Sequence, residues 1–353
     1  MSKFYILSIK KITKETHNSV SITFNIPSSL KDLFSFIPGQ YITVQKELNG
    51  EIVRRDYSIC SSQNSGDIKI GIKAVENGTF SQFATSQLKE GDELEVSAPL
   101  GRFNLQPVAS STKSHIAFAA GSGITPVLSI VKTALEEEEE SKFVLVYGNK
   151  TIDDVMFKAD INALIEKYQE RFYVYYTFSK ASYNEYLFGR IDASVVKLVL
   201  NDKHKDLSFS DYFLCGPEAM INLVKETIIA NGVDESQIHF ELFTTSSEDE
   251  TSGTELESIE GETEITVLLD DEEETFTMDR KNTILESVLL KGLDAPYSCQ
   301  GGICSSCLAK ITEGKAVMDK NSILSDEEVN DGLVLTCQAH PTTSKIIIDY
   351  DDV

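Results

Sequence analysis

Pro296-Tyr-Ser-Cys-Gln-Gly-Gly-Ile-Cys-Ser-Ser-Cys-Leu-Ala-Lys310, with Leu335-Thr-Cys-Gln-Ala339 downstream, places Cys299, Cys304, Cys307 and Cys337 at the spacing C-x4-C-x2-C-x29-C. That spacing holds a [2Fe–2S] cluster. Three thiolates on one short loop must converge on a compact inorganic core, so the chain has to fold back sharply, and Gly301 and Gly302 allow that path. Ser298, Ser305 and Ser306 are small and carry hydroxyls able to bond the sulfurs. A structural zinc site more often pairs two C-x2-C knuckles, and only one such knuckle is present.

Working outward, the chain has 353 residues, long enough for two or three domains, and 41% of them are hydrophobic, enough for packed cores. No apolar run reaches the roughly 20 residues of a spanning helix, and the start lacks a signal peptide's apolar stretch, so no membrane span and a cytoplasmic protein are expected. The formal net charge is −24. Its distribution is uneven: Thr244 to Glu262 holds seven acids and no Lys or Arg, and Thr263 to the end holds 18 acids against 7 bases. So −18 of the −24 lies there. Such a surface repels phosphate backbones, which argues against a nucleic-acid partner and in favour of a basic protein partner.

Four segments separate on pattern. Residues 1–107 read as short alternating strands, such as Val20 to Ile26, Tyr41 to Val44 and Ile68 to Lys73, an antiparallel barrel or sandwich. Residues 108–243 alternate buried strands with helices, expected near Pro126 to Glu140 and through Tyr168, which predicts a parallel α/β sheet. The glutamate run Glu136 to Glu140 reads as a solvated helix end. Residues 244–262 read as an acidic linker, and residues 263–353 as a third domain.

The cysteine loop strongly resembles the C-terminal ferredoxin domain of multidomain oxygenase reductases. That implies a β-grasp fold, with a helix near Thr283 to Lys291 on its sheet. A cluster passes one electron at a time whereas nicotinamide gives a hydride, so something must split the pair, and a flavin does this. Arg55-Asp56-Tyr57-Ser58 resembles the R-x-Y-S motif of the ferredoxin-NADP reductase superfamily. There the Arg neutralises a flavin phosphate, the Tyr lies against the flavin and the Ser approaches its N5. Gly78-Thr79-Phe80-Ser81 matches the superfamily's G-x-x-S/T at a helix N-terminus, where backbone amides bind pyrophosphate. Ile72 and Lys73 correspond to the strand bordering the flavin.

Gly121-Ser-Gly123-Ile-Thr125-Pro126 follows an apolar strand and opens a helix, so its glycines let backbone approach a dinucleotide pyrophosphate. It resembles the superfamily's G-x-G-x-T-P rather than G-x-G-x-x-G. Cys215-Gly216-Pro217 matches the superfamily's C-G-P, which by resemblance places Cys215 at the hydride-transfer locus. Phe243, in the last strand of this module, is the aromatic candidate for covering the flavin. Ser179-Lys180 stands where NADP-using relatives carry Ser-Arg, which favours NADPH over NADH. His239 and Cys60 receive no catalytic role.

The domain order resembles reductase subunits of the ring-1,2-phenylacetyl-CoA epoxidase type and related reductases of hybrid-cluster proteins and of steroid or alkane hydroxylases. The resemblance implies an FAD- and [2Fe–2S]-dependent oxidoreductase passing electrons from NAD(P)H to an oxygenase component with a basic docking patch. Another acceptor, or a mainly docking role within an oxygenase complex, stays open. The G-x-x-S match favours FAD over FMN. Purified protein should be coloured and contain iron and flavin; a colourless, iron-free preparation would overturn this expectation.

Overall fold

The computed structural model describes residues 3–244 and 261–353. These divide into two compact units, one within Phe4–Thr245 and the other within Ser246–Val353. The acidic linker expected over 244–262 lies, for 245–260, outside the described residues.

The first unit opens with a six-stranded antiparallel barrel: β1 (Phe4–Thr16), β2 (Ser19–Phe24), β3 (Tyr41–Leu48), β4 (Glu51–Ser58), β5 (Ile68–Lys73) and β6 (Glu93–Ser97), plus one helix, α1 (Thr79–Ser86). The order is β4-β3-β6-β1-β2-β5. β1 serves both halves, pairing with β6 through Ser8 and with β2 from Ile9, with bulges after Ile9 and Lys14 that bend it round the core. An isolated bridge between Ile59 and Ile70 joins the two ends of the sheet. Period-2 alternation supplies the core: Val20, Ile22 and Phe24 from β2 and Ile68, Ile70 and Ile72 from β5 are buried together.

The same unit continues as β7 (Ser114–Ala120), α2 (Ile124–Glu137), β8 (Lys142–Asn149), α3 (Lys158–Lys167), β9 (Phe172–Phe178), β10 (Leu187–Phe188), α4 (Ala193–Lys197), β11 (Phe209–Pro217), α5 (Glu218–Ala230) and β12 (Ile238–Thr244). All six strands are parallel, in the order β10-β9-β8-β7-β11-β12. The chain winds outward from β7 to β10 and then crosses to β11 on the other side of β7. The crevice between β7 and β11 is therefore the switch point at which such sheets bind ligands.

The second unit is a mixed five-stranded sheet, order β14-β13-β19-β15-β17, built from β13 (Glu262–Leu269), β14 (Glu272–Asp279), β15 (Leu308–Glu313), β17 (Leu333–Leu335) and β19 (Lys345–Asp349). A small pair, β16 (Ala316–Met318) with β18 (Ala339–Pro341), lies beside it. α6 (Ile284–Leu290), capped by the Thr283 hydroxyl, buries Ile284, Leu285 and Val288 in the core, and α7 (Asp326–Asn330) carries a capping box. This is the β-grasp arrangement.

One expectation needs correcting. The run Glu136 to Glu140 is not merely a solvated helix end. Glu138 is buried, accepting from the Val108 amide at 3.1 Å and meeting His115 Nε2 at 3.0 Å, while Glu136 bonds the Ser62 hydroxyl. His115 is fully buried, with Asp211 on its Nδ1 at 3.1 Å. Burial alone would lower the imidazole's pKa, but its hydrogen bonds to the Asp211 and Glu138 carboxylates outweigh burial and raise it. Burial would raise both carboxyls, yet His115, joined by His239 and Ser210 on Asp211 and by the Val108 amide on Glu138, holds them below the carboxylate range.

A raised folded-state histidine pKa stabilises fully below about pH 6.5 and loses that contribution as pH climbs through the folded value. The carboxylates lose theirs only in acid. Unfolding of the wild type in urea should therefore show stability falling above about pH 6.5, by up to about 1.4 kcal/mol per pH unit. His115→Gln should be weaker by roughly 3–5 kcal/mol in the neutral range and lack that slope; equal slopes would refute the assignment.

Candidate active site and cluster-binding loop

Local structure sets two helix starts apart from the others. Of the α-helices among the described residues, α3, α5, α6 and α7 have an acid in the first turn, and α4 is capped by Asp192. α1 and α2 have no acid in the first turn and no side-chain cap. In so acidic a chain, two helix starts without an acid or a side-chain cap are a departure from the pattern, and a positive dipole end of that kind suits phosphate. They are the two starts preceded by Gly78 and by Gly121 to Gly123.

The glycines at these starts are forced by close approach. A Cβ on Gly123 would lie 2.2 Å from the Cys215 carbonyl oxygen, so the turn after β7 packs directly on the end of β11. Gly121 takes φ +55 in the same turn, and Tyr147 Oη donates to its carbonyl at 2.9 Å. Lys73 Nζ comes within 4.0 Å of where a Gly121 Cβ would stand, which brings a barrel cation to the nucleotide turn. Burial lowers its pKa.

Beside that crevice, at the β11–β12 edge, three residues from distant parts of the chain are brought together. Ser58, at the end of β4 and buried, donates to Glu241 Oε2 at 3.2 Å. Glu241 is the register partner of Cys215 across β11 and β12. Burial pushes the Glu241 carboxyl up to about 8, so it holds its proton at neutral pH. The fully buried Cys215 thiol is pushed well up, by burial and then by Glu241, and is no thiolate nucleophile. Sequence reasoning had passed over Glu241. Its only signal was a carboxylate between Phe240 and Leu242 in the terminal strand, two positions before Phe243.

The other expected residues sort by what they touch. Arg55 is exposed, with Nη1 on the Arg54 carbonyl at 2.6 Å, and Asp56 accepts from the Thr43 hydroxyl at 2.7 Å. Tyr57 packs its ring on Phe80, centroids 5.7 Å apart, and burial raises its pKa. Ile72 and Phe80 point into the barrel core, so their backbones alone are free to meet a ligand. Thr79 is exposed, and Ser81 accepts from the Val75 amide at 3.1 Å. Thr125 and Pro126 are buried in the first turn of α2, with Thr125 Oγ1 donating to the Ser122 carbonyl. Gly216 and Pro217 end β11, and Phe243 packs partly buried against the nucleotide-domain core. The amides of Ser179 and Lys180 bond the carbonyls of Asn149 and Lys150, which gathers two lysines where β8 and β9 end.

In the second unit the four cysteines gather two and two. Cys304 Sγ donates to Cys299 Sγ at 3.1 Å, and Cys307 and Cys337 are likewise hydrogen-bonded to each other. Among the described residues no three of His, Cys, Asp or Glu converge on a single ion. A mononuclear zinc site needs four ligands about one point, whereas two thiolate pairs suit two irons. The Cys304 hydrogen bond, helped by the amides of Gly301, Ile303 and Cys304, brings Cys299 down to about 6. Gly302, at φ +71, has no room for a Cβ, which would lie 2.8 Å from the Lys320 carbonyl. The loop thus fits the cluster that its spacing implied.

Gly123→Ala should prevent the close packing of the two motifs. Its dinucleotide affinity, measured by titration, should fall at least about tenfold while the cluster's visible spectrum stays unchanged; native affinity would contradict the packing argument.

The sequence matches the oxidoreductase FAD-binding domain family over residues 6–105, the oxidoreductase NAD-binding domain family over 118–226 and the 2Fe-2S iron-sulfur cluster binding domain family over 267–342. It is 36% identical to one of the subunits of the 1,2-phenylacetyl-CoA epoxidase of Escherichia coli, over 99% of both chains. It is 32% identical to the ferredoxin reductase component of 3-ketosteroid-9-alpha-monooxygenase of Rhodococcus rhodochrous, over 99% of this chain and 97% of that one. Its fold superimposes on phthalate dioxygenase reductase with a TM-score of 0.59 at 24% identity, covering 98% of each chain. With all three domains present in this order, the chain belongs to the family of flavin- and iron–sulfur-dependent oxygenase reductases.

Proposed function

We propose that this chain is the reductase component that draws electrons from NADPH and delivers them to an oxygenase component, with a 1,2-phenylacetyl-CoA epoxidase as the first acceptor to test. The observation that carries the reading is the meeting of Ser58 with Glu241, the register partner of Cys215 on the strand beside the switch point, in a unit that holds two acid-free helix starts.

When bound, FAD accepts hydride and gives electrons singly, and the [2Fe–2S] cluster carries one electron at a time. The remaining work belongs to side chains and amides. Arg55 and the amides of Thr79 to Ser81, opened by Gly78, would hold the flavin's phosphates, with Tyr57, Ile72 and Lys73 bordering the rest of it. Gly121, Gly123, Thr125 and Pro126 bring the start of α2 to the dinucleotide's pyrophosphate. Lys180, with Ser179 beside it, meets the adenosine 2′-phosphate as a point charge. Gly216 and Pro217 end β11 so that the nicotinamide would approach the Cys215 position, and Phe243 would cover the flavin. Glu241, protonated at neutral pH, accepts from the Ser58 hydroxyl at the seam and keeps a second negative charge away from the hydride path. Cys299, Cys304, Cys307 and Cys337 hold the cluster.

Delivery to the acceptor is electrostatic in this reading. Exposed acids line β14 (Glu272, Glu273, Glu274) and the first turn of α7 (Asp326, Glu327), suiting a basic patch on the partner.

Under anaerobic conditions NADPH should bleach the flavin and then the cluster, with faster initial rates than NADH. Cys215→Ser and Glu241→Gln should slow flavin bleaching by roughly 10²–10³-fold without loss of FAD. Raising salt should slow electron delivery to the oxygenase and leave flavin bleaching nearly unchanged. A flavin that nicotinamide does not bleach would sink the proposal, and salt-independent delivery would sink its docking part.

A further inference from the structure

The outward face of β5 carries a cluster that the reaction above does not use. Alternation turns Ile68, Ile70 and Ile72 into the barrel and leaves Lys69, Gly71 and Lys73 outside. A Cβ on Gly71 would stand 2.7 Å from Thr125 Cγ2 and 2.8 Å from Phe157 Cζ, so strand and nucleotide domain touch there without a side chain between them.

Around that contact runs a chain of four alternating charges. Lys132 Nζ, on α2, lies 2.7 Å from Asp160 of α3 and also donates to the Cys60 carbonyl at 3.3 Å. Asp160 lies 3.6 Å from Lys69, and Lys69 lies 3.9 Å from Glu15 of β1. Glu15 accepts from the Ser21 hydroxyl at 2.7 Å and from the Phe157 amide at 3.2 Å. Phe157 itself sits at φ +56, a left-handed conformation unusual for a bulky residue, with its ring under Lys69 Nζ at 5.1 Å. Burial would raise Asp160, but Lys132 and Lys69 outweigh it and hold the carboxyl ionised.

Two charges of the chain belong to the barrel and two to the nucleotide domain, and their side chains are 11% to 34% exposed. Partly buried ion pairs contribute little net stability compared with apolar packing, but they tolerate only one alignment. An apolar seam alone would permit sliding. Here Gly71 makes the contact close and the charges choose its register.

We propose that Lys132, Asp160, Lys69 and Glu15 are positioning residues that set the barrel against the nucleotide domain and so keep Ser58 within reach of Glu241 and Cys215. The proposal rests on the hydride reading given above, because a misplacement of about 1 Å costs roughly 10²-fold in rate.

The test uses the full-length holoprotein with Lys132→Met, Asp160→Asn and Lys132→Arg, and the exposed pair Lys10 and Asp67 as a control through Lys10→Met. Amide hydrogen exchange at Phe157 is read first, since it needs no nicotinamide. Then the rate of flavin bleaching at saturating NADPH and the NADPH dissociation constant are measured anaerobically. Lys132→Met and Asp160→Asn should exchange the Phe157 amide faster and slow bleaching about 10–100-fold with unchanged affinity. Lys132→Arg should recover most of the rate, and Lys10→Met should match wild type. Native exchange or a native bleaching rate in Lys132→Met overturns the proposal. Should that variant lose its flavin, Asp160→Asn, which removes one charge at constant size, decides by the same two readouts. A wild-type flavin that nicotinamide does not bleach would defeat the hydride reading, while the exchange measurement would still decide whether the ion chain sets the seam.

Discussion

The contact between the outer face of β5 and the nucleotide domain is the constraint on which the rest of the first unit depends. Gly71 has no side chain, so the barrel comes to van der Waals distance of Thr125, in the first turn of α2, and of Phe157 before α3. That approach carries Lys73 to the turn at Gly121, and it brings the end of β4 to β11 and β12. α2 is further tied to the segment after β4: Ser129 Oγ donates to the Ser61 carbonyl at 2.7 Å, and Thr133 Oγ1 accepts from the Gln63 amide at 3.1 Å. A barrel and an α/β sheet that each have their own core thus behave as one compact unit.

Charge distribution shows a second organising principle. A chain at −24 places acids at most of its helix starts, where they satisfy free amides and the dipole. Withholding them at α1 and α2 leaves stabilisation unused in the free protein, which a phosphate group bound there would supply. The same reasoning explains Glu241. A carboxyl in that crevice would, if ionised, repel the anionic groups that the helix starts attract, and burial keeps it protonated instead.

Much of this was legible in the residues. The cysteine spacing implied both the cluster and the looped backbone, and the structure adds that the thiols assort as two pairs. Ile68 to Lys73 was read as a strand over the residues it occupies, and the helix expected near Thr283 to Lys291 is α6 with its caps. The helix expected from Pro126 begins earlier, at Ile124, because a 3-10 turn over Gly121–Gly123 leads directly into it. Other features were invisible. Glu138 looked like one glutamate among five, yet it is buried against His115, 23 positions away, because α2 ends where β7 begins.

The sequence by itself determined which groups the protein can hold. Cysteine spacing, glycines ahead of helices and alternating strands are local patterns, and the chemistry they express acts over a few residues. Only the tertiary structure decided which of those groups meet. Ser58 and Glu241 are 183 positions apart, and Glu15 and Phe157 are 142 apart. Their contacts arise from the packing of one domain on another, a fit between surfaces that no short-range pattern encodes.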